Sequence, residues 1–60
     1  MELTQIAGGD CRGDDCPTIF KTDRGTIVVQ GDIVNKKTPA GEGVVEIPME
    51  VFREAIRALG

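Results

Sequence analysis

The two cysteines of the chain, Cys11 and Cys16, bracket a short polar segment and are the residues best suited to chemistry. They can form a disulfide that closes a small loop, which the chain-entropy description values at about 2 kcal/mol. They can also remain two reduced thiols, which is the usual state in the cytosol. A third alternative is half of a zinc site, with a second chain supplying the other two thiolates. The spacing leaves all three states open.

Catalysis by the remaining side chains is not expected. The chain contains no histidine, which removes the most common general base and metal ligand. Asp10, Asp14 and Asp15 lack the spacing and the distal glutamate of a calcium loop. No nucleophile lies beside a plausible base, and a chain of 60 residues is too small for a deep pocket. We therefore predict a non-enzymatic protein without a cofactor.

Charge and hydropathy limit the partners. The net charge is −3, and the only basic cluster is the pair Lys36-Lys37. Direct binding to nucleic acid is disfavoured, because it usually requires a basic patch. No apolar run is long enough for a membrane span, and the N-terminal residues do not resemble a signal peptide. We therefore expect a cytoplasmic protein that does not bind membranes.

Residues 44–59 predict a short strand that runs into an amphipathic helix, around which the fold is organised. Apolar residues recur at helical spacing: Met49, Phe52, Ile56 and Leu59. Pro48 suits the first helical position, and Gly60 can end the helix. A helix of about twelve residues is marginal alone in water, so it must pack on a sheet.

The upstream residues predict strands joined by turns. Candidate strands are Leu3–Ala7, Thr18–Thr22, residues 26–30 and residues 44–47. A hairpin turn is expected at Asp23-Arg24-Gly25. Gly31 is interpreted as a bulge, with residues 32–34 continuing the same strand. Residues 35–43 are expected to form a loop.

These elements predict one small α+β domain over residues 1–60, with its core segment at residues 17–59. A three-stranded antiparallel meander packs against one C-terminal amphipathic helix, and Leu3–Ala7 is a candidate fourth strand. Val28 and Ile19 are expected on the sheet face that the helix leaves open. The predicted core comprises Ile6, Phe20, Ile27, Val29, Ile33, Val45, Ile47, Phe52, Ile56 and Leu59.

The order of these segments resembles the small actinomycete proteins of the BldB type, whose activity is unsettled. Three stretches within residues 16–59 carry the resemblance: Cys16-Pro17-Thr18-Ile19-Phe20, Gly25-Thr26-Ile27-Val28-Val29-Gln30-Gly31 and Val45-Glu46-Ile47-Pro48. The resemblance implies a bacterial, non-catalytic regulatory protein that binds and modulates a helix-turn-helix transcription regulator.

The predicted contact surface combines the polar side of the helix with the open sheet face: Val28, Glu50, Arg53, Glu54 and Arg57. Two alternatives belong to other classes. One is a metal- or redox-responsive homodimer that uses Cys11 and Cys16. The other is a dimer that binds DNA directly.

Overall fold

The computed structural model describes residues 1–8 and 16–60. In this part of the chain, five strands precede one helix. The elements are β1 (Leu3–Ala7), β2 (Thr18–Thr22), β3 (Ile27–Gln30), β4 (Asp32–Ile33), β5 (Val45–Glu46) and α1 (Met49–Leu59). In the described part of the chain, no helix is long and apolar enough to cross a membrane.

A three-stranded antiparallel sheet forms the larger layer, in the order β1-β2-β3. The helix packs over β1 and β2 and makes few or no close contacts with β3. The predicted α+β fold is thus confirmed, although the third strand of the sheet is the N-terminal β1 rather than residues 44–47.

The turn between β2 and β3 follows the prediction, and a threonine hydroxyl holds it. Gly25 has the positive φ of +78° that favours glycine in a tight turn. The Thr22 Oγ1 accepts hydrogen bonds from the backbone N–H of Arg24 at 3.1 Å and of Thr26 at 3.2 Å. It also lies 2.7 Å from the Thr26 Oγ1. Thr22 is buried, so these contacts replace water at its hydroxyl.

Thr22→Val is expected to lower the free energy of unfolding by about 1–2 kcal/mol, because two part-buried backbone N–H groups lose their acceptor while the side-chain volume is kept. Chemical denaturation followed by circular dichroism measures the change. Thr4→Val, at an exposed position of β1, is the matched control and should have little effect. Equal changes in the two variants would contradict the proposed role of the Thr22 hydroxyl.

The faces of the sheet differ from the prediction in β2. Ile19 pairs with Val29, and Phe20 pairs with Val28, so each pair shares a face. Ile19 is only 3% exposed and lies on the helix side, so its expected position on the open face is wrong. Phe20 lies on the opposite face and is half-buried, so it is not part of the helix-side core as predicted.

The core is small and consists of short side chains around one isoleucine. Ala7, Ile19 and Ala55 are the buried apolar residues of the described chain. Ile6, Ile47 and Val51 pack against them while partly exposed. A register shift between Gln5 and Ala7 marks a bulge in β1, which lets the neighbours Ile6 and Ala7 both contact this cluster. The remaining predicted core residues are more exposed than expected, most of all Ile33 at 88%.

Gly31 divides the chain between two sheets, so the prediction that β3 continues through a bulge is wrong. β4 pairs with β5 in a separate antiparallel sheet, with Asp32 opposite Glu46 and Ile33 opposite Val45. A Cβ atom at Gly31 would collide with the carbonyl oxygen of Glu46 and lie 2.9 Å from the Ile47 Cγ2. Glycine is required here because β5 approaches the backbone closely.

The ends of α1 are defined by Pro48 and Gly60. Pro48 is the N-cap rather than the first helical residue, since its ψ of 147° is extended. Its carbonyl oxygen accepts from the backbone N–H of Val51 at 3.1 Å. At the other end, the Gly60 N–H donates to the Ile56 carbonyl at 3.0 Å, as expected of a terminating glycine.

Candidate interaction surface

The helix turns most of its apolar row away from the core. Ala55 is buried at 4%, and Val51 and Glu54 are half-buried, so these three residues mark the packed side. The predicted packing side is exposed by 52–65%: Met49, Phe52, Ile56 and Leu59. The prediction that Phe52, Ile56 and Leu59 are core residues is therefore wrong.

A contact between β1 and α1 explains why the helix turns most of its apolar row away from the core. The backbone N–H of Gly8, just after β1, donates to the Glu54 Oε1 at 3.3 Å. This bond is part-buried and turns Glu54 toward the sheet, so Glu54 does not lie on the outer surface as predicted. The small side chains of Ala7 and Ala55 in the core let the helix approach β1 closely. Met49, Phe52, Ile56 and Leu59 therefore lie beside this contact and stay exposed.

The exposed apolar row faces the uncovered part of the sheet and forms an apolar groove of about 340 Å³, which we call the α1–β3 groove. Ile27 and Val29 of β3 form its floor and are 49% and 39% exposed. The residues that line it are all apolar: Ile19, Ile27, Val29, Val45, Ile47, Phe52, Ala55, Ile56 and Leu59. An apolar surface left open on a small domain is typical of an interaction site.

The five predicted contact residues do not form one continuous surface. Glu50, Arg53 and Arg57 are exposed on α1, as predicted. Val28 is half-buried and shares a face with Phe20, on the side of the sheet opposite to Ile19 and the helix. The exposed charges of α1 and Val28 therefore cannot contact one flat partner surface together.

A second cavity of about 280 Å³, with a mixed polar and apolar lining, lies where the small sheet meets the start of the helix. Asp32 and Glu46 line it and are direct cross-strand partners. Like charges placed opposite one another disfavour strand pairing, and exposure of both side chains to water limits the cost. Two carboxylates alone do not define a metal site, and the described residues contain no cluster of three or more potential metal ligands.

Cys16 is disulfide-bonded in the structure. The only other cysteine in the sequence is Cys11. Cys11 lies outside the described residues, as do Asp10, Asp14 and Asp15. The Cys16 carbonyl accepts hydrogen bonds of 2.9 Å from the Thr18 Oγ1 and the Gln30 Nε2. These bonds fix Cys16 at the start of β2 and link it to the end of β3.

Zinc ligation would require reduction of the Cys16 disulfide, because only a thiolate binds the metal. Cys16 in its disulfide-bonded state is therefore not a zinc ligand.

No family model, curated protein or solved structure matches the chain. The resemblance to BldB-type proteins therefore stays a prediction, and the geometry of the exposed surfaces is the main guide to function.

Proposed function

We propose that the protein is a small non-catalytic interaction module that binds and modulates a helix-turn-helix transcription regulator. The observation that carries the proposal is the exposure of α1, which presents most of its apolar row and three of its charged side chains to solvent. A helix with no other role would bury that row, since an exposed apolar side chain forfeits its hydrophobic stabilisation. The choice of partner class follows from the resemblance to BldB-type proteins.

The proposed regulator-binding surface is the outer side of α1, with Glu50, Arg53 and Arg57. Glu54 is left out because its carboxylate accepts the Gly8 hydrogen bond. Val28 is left out because it faces the other side of the sheet. This surface carries one acidic and two basic groups, so attraction to the basic DNA-binding surface of a regulator would come from Glu50 and from the net charge of −3 of the whole chain. As part of this proposal, the protein acts in the cytoplasm.

The test is affinity capture from a lysate of the native host at low salt with reductant, read by mass spectrometry. Recovery of a helix-turn-helix regulator is the expected result. Recovery of duplex DNA alone would favour the DNA-binding dimer, and recovery of neither would contradict the proposal.

Glu50→Lys is expected to weaken binding to the captured regulator by about 3- to 10-fold, mainly through slower association, with the difference shrinking as salt is raised. Surface plasmon resonance at two salt concentrations measures this effect. Glu42→Lys makes the same charge change at an exposed position in the loop before β5 and should leave the affinity nearly unchanged. Equal losses in both variants would indicate a net-charge effect rather than contact through α1.

The disulfide at Cys16 favours a second candidate, a redox-responsive module. Cytosolic disulfides are usually transient, so a reversible bond would act as a sensor. Intact mass spectrometry with and without reductant decides the matter. A gain of two protons on mild reduction, together with altered regulator binding, would support this candidate, whereas identical binding in both states would contradict it.

A further inference from the structure

We infer that the α1–β3 groove is the docking site of a second copy of the chain, so that the protein is a twofold-symmetric dimer. The inference uses the exposed apolar row of α1, which the proposed function also cites, but it leaves the charged outer side of the helix free for a regulator. It follows from the extent of the exposed surface, the shape of the groove and the size of the core.

The exposed surface is too large for a compact monomer. The accessible surface of the chain is 4960 Å². A folded monomer of 6.4 kDa is expected to expose about 3,800 Å². The excess of about 1,200 Å² exceeds the roughly 800 Å² that each partner buries in a standard interface. The excess belongs to the chain as a whole, and the exposed apolar residues of the groove are the part of it that a second copy would cover.

The groove has two apolar parts that can pair across a twofold axis. Each chain offers a ridge, made by Phe52, Ile56 and Leu59 of α1, beside a shelf, made by Ile27 and Val29 of β3. A twofold axis between the two shelves would lay each ridge over the shelf of the other copy. This arrangement is an isologous interface, in which the same patch serves both sides.

The position of β3 also favours a second copy. Among the described strands, β3 lies at an edge of the main sheet, and an edge strand is a common site of pairing with another chain. Its helix-side residues, Ile27 and Val29, remain uncovered because α1 packs over β1 and β2. One symmetric contact would therefore cover both the edge of β3 and its apolar shelf.

The small core is the reason for choosing a second copy over another protein. Ala7, Ile19 and Ala55 alone are buried apolar residues in the described chain, and no large side chain there is fully buried. Such a core gives little stability to a 60-residue domain, so a permanent occupant of the groove is needed for folding. A second copy is present whenever the chain is made, and obligate dimers of this kind often have no stable monomer.

The experiment compares the wild-type protein with Phe52→Glu and Ile33→Glu by sedimentation equilibrium, from micromolar to sub-millimolar concentration. Reductant is included so that an intermolecular disulfide cannot mimic the dimer. The wild type is expected at twice the chain mass of 6.4 kDa. Phe52→Glu should weaken dimerisation at least about 100-fold, because it buries an unpaired carboxylate in the interface. Ile33→Glu is the matched control, since Ile33 is 88% exposed and outside the groove.

Circular dichroism shows whether Phe52→Glu is folded, and thermal melts of the wild type at several concentrations cover the case in which it is not. An unfolded variant together with a wild-type midpoint that rises with concentration would support the dimer, because dissociation is then coupled to unfolding. An unfolded variant with a concentration-independent midpoint would overturn it.

Two further outcomes would overturn the inference. A wild type that stays monomeric at the highest concentration would leave the groove to a different protein, even if a regulator is captured. A dimer that persists in Phe52→Glu would place the interface elsewhere. Failure to capture a regulator, in contrast, would leave the dimer unaffected.

Discussion

Gly8→Ala is expected to unfold much of the protein population. Gly8 has a φ of +87°, where a residue with a Cβ costs about 1–2 kcal/mol. The added Cβ would also collide with the carbonyl oxygen of Pro17 and lie 3.1 Å from the Thr18 Cα, an overpacking worth about 1–3 kcal/mol. The sum of about 3 kcal/mol approaches the roughly 3–5 kcal/mol that supports a domain of this size.

The loss should extend beyond the local clash. The Gly8 N–H donates to Glu54, so a displaced backbone would also release α1 from β1. Chemical denaturation by circular dichroism at one fixed protein concentration measures the change. Gly43→Ala is the matched control, because no described atom lies within 4 Å of its added Cβ and its φ is not in the left-handed region. A Gly8→Ala protein as stable as the control would mean that the contact between β1 and α1 does not depend on this glycine.

Ile19→Ala should have a comparably large effect. Ile19 is the largest buried apolar residue of the described core, which it forms with Ala7 and Ala55. Truncation of a buried isoleucine to alanine costs about 2–5 kcal/mol, which includes the cavity that remains. Ala7 and Ala55, the other buried members of the cluster, are too small to fill the space. We therefore expect a loss of about 3 kcal/mol in the free energy of unfolding, measured by urea denaturation.

Two controls make this result specific to the sheet register. Ile33→Ala removes the same atoms from a side chain that is 88% exposed, and should change stability by less than about 0.5 kcal/mol. Phe20→Ala tests the opposite face of β2. A one-residue shift in register would exchange the two faces, so a Phe20→Ala protein that loses far more stability than Ile19→Ala would contradict the structure.

The elements with strong local signals could be predicted from the sequence. β1 and β2 have the predicted bounds, and β3 differs from its prediction by one residue. The turn containing Gly25 and the helix end at Gly60 follow from the backbone freedom of glycine. In these segments, the property that decides the structure is carried by the residues themselves.

The side that each element buries could not be predicted, because it depends on long-range contacts. The apolar arc of α1 spans nearly half of the helix, so its pattern does not say which part packs. The choice is made by Ala7, Ala55 and the bond between Gly8 and Glu54, which join residues far apart in sequence. Small residues give a weak hydrophobic signal, and for this reason the prediction placed the larger Phe52, Ile56 and Leu59 in the core.

The α1–β3 groove was not predicted for the same reason, although one feature of the sequence is consistent with it. Residues 27–29 form an apolar triplet, which predicts cover on both faces of the strand. One helix of eleven residues cannot supply that cover for the whole sheet. The sequence does not predict the division at Gly31, because glycine is favoured both in a bulge and where the chain crosses between two sheets.

The contact between β1 and α1 has a consequence for biosynthesis. The ribosome makes residues 3–7 before residues 49–59, so the sheet emerges before the helix that covers it. Until the helix is released, Ile6, Ala7 and Ile19 stay open to any apolar surface nearby, including chaperones and other nascent chains. Closure must then bring distant segments together, and the entropy of that loop is lost before the contact stabilises it. Synthesis that stops before residue 49 would leave the apolar residues of the sheet without the helix that covers them.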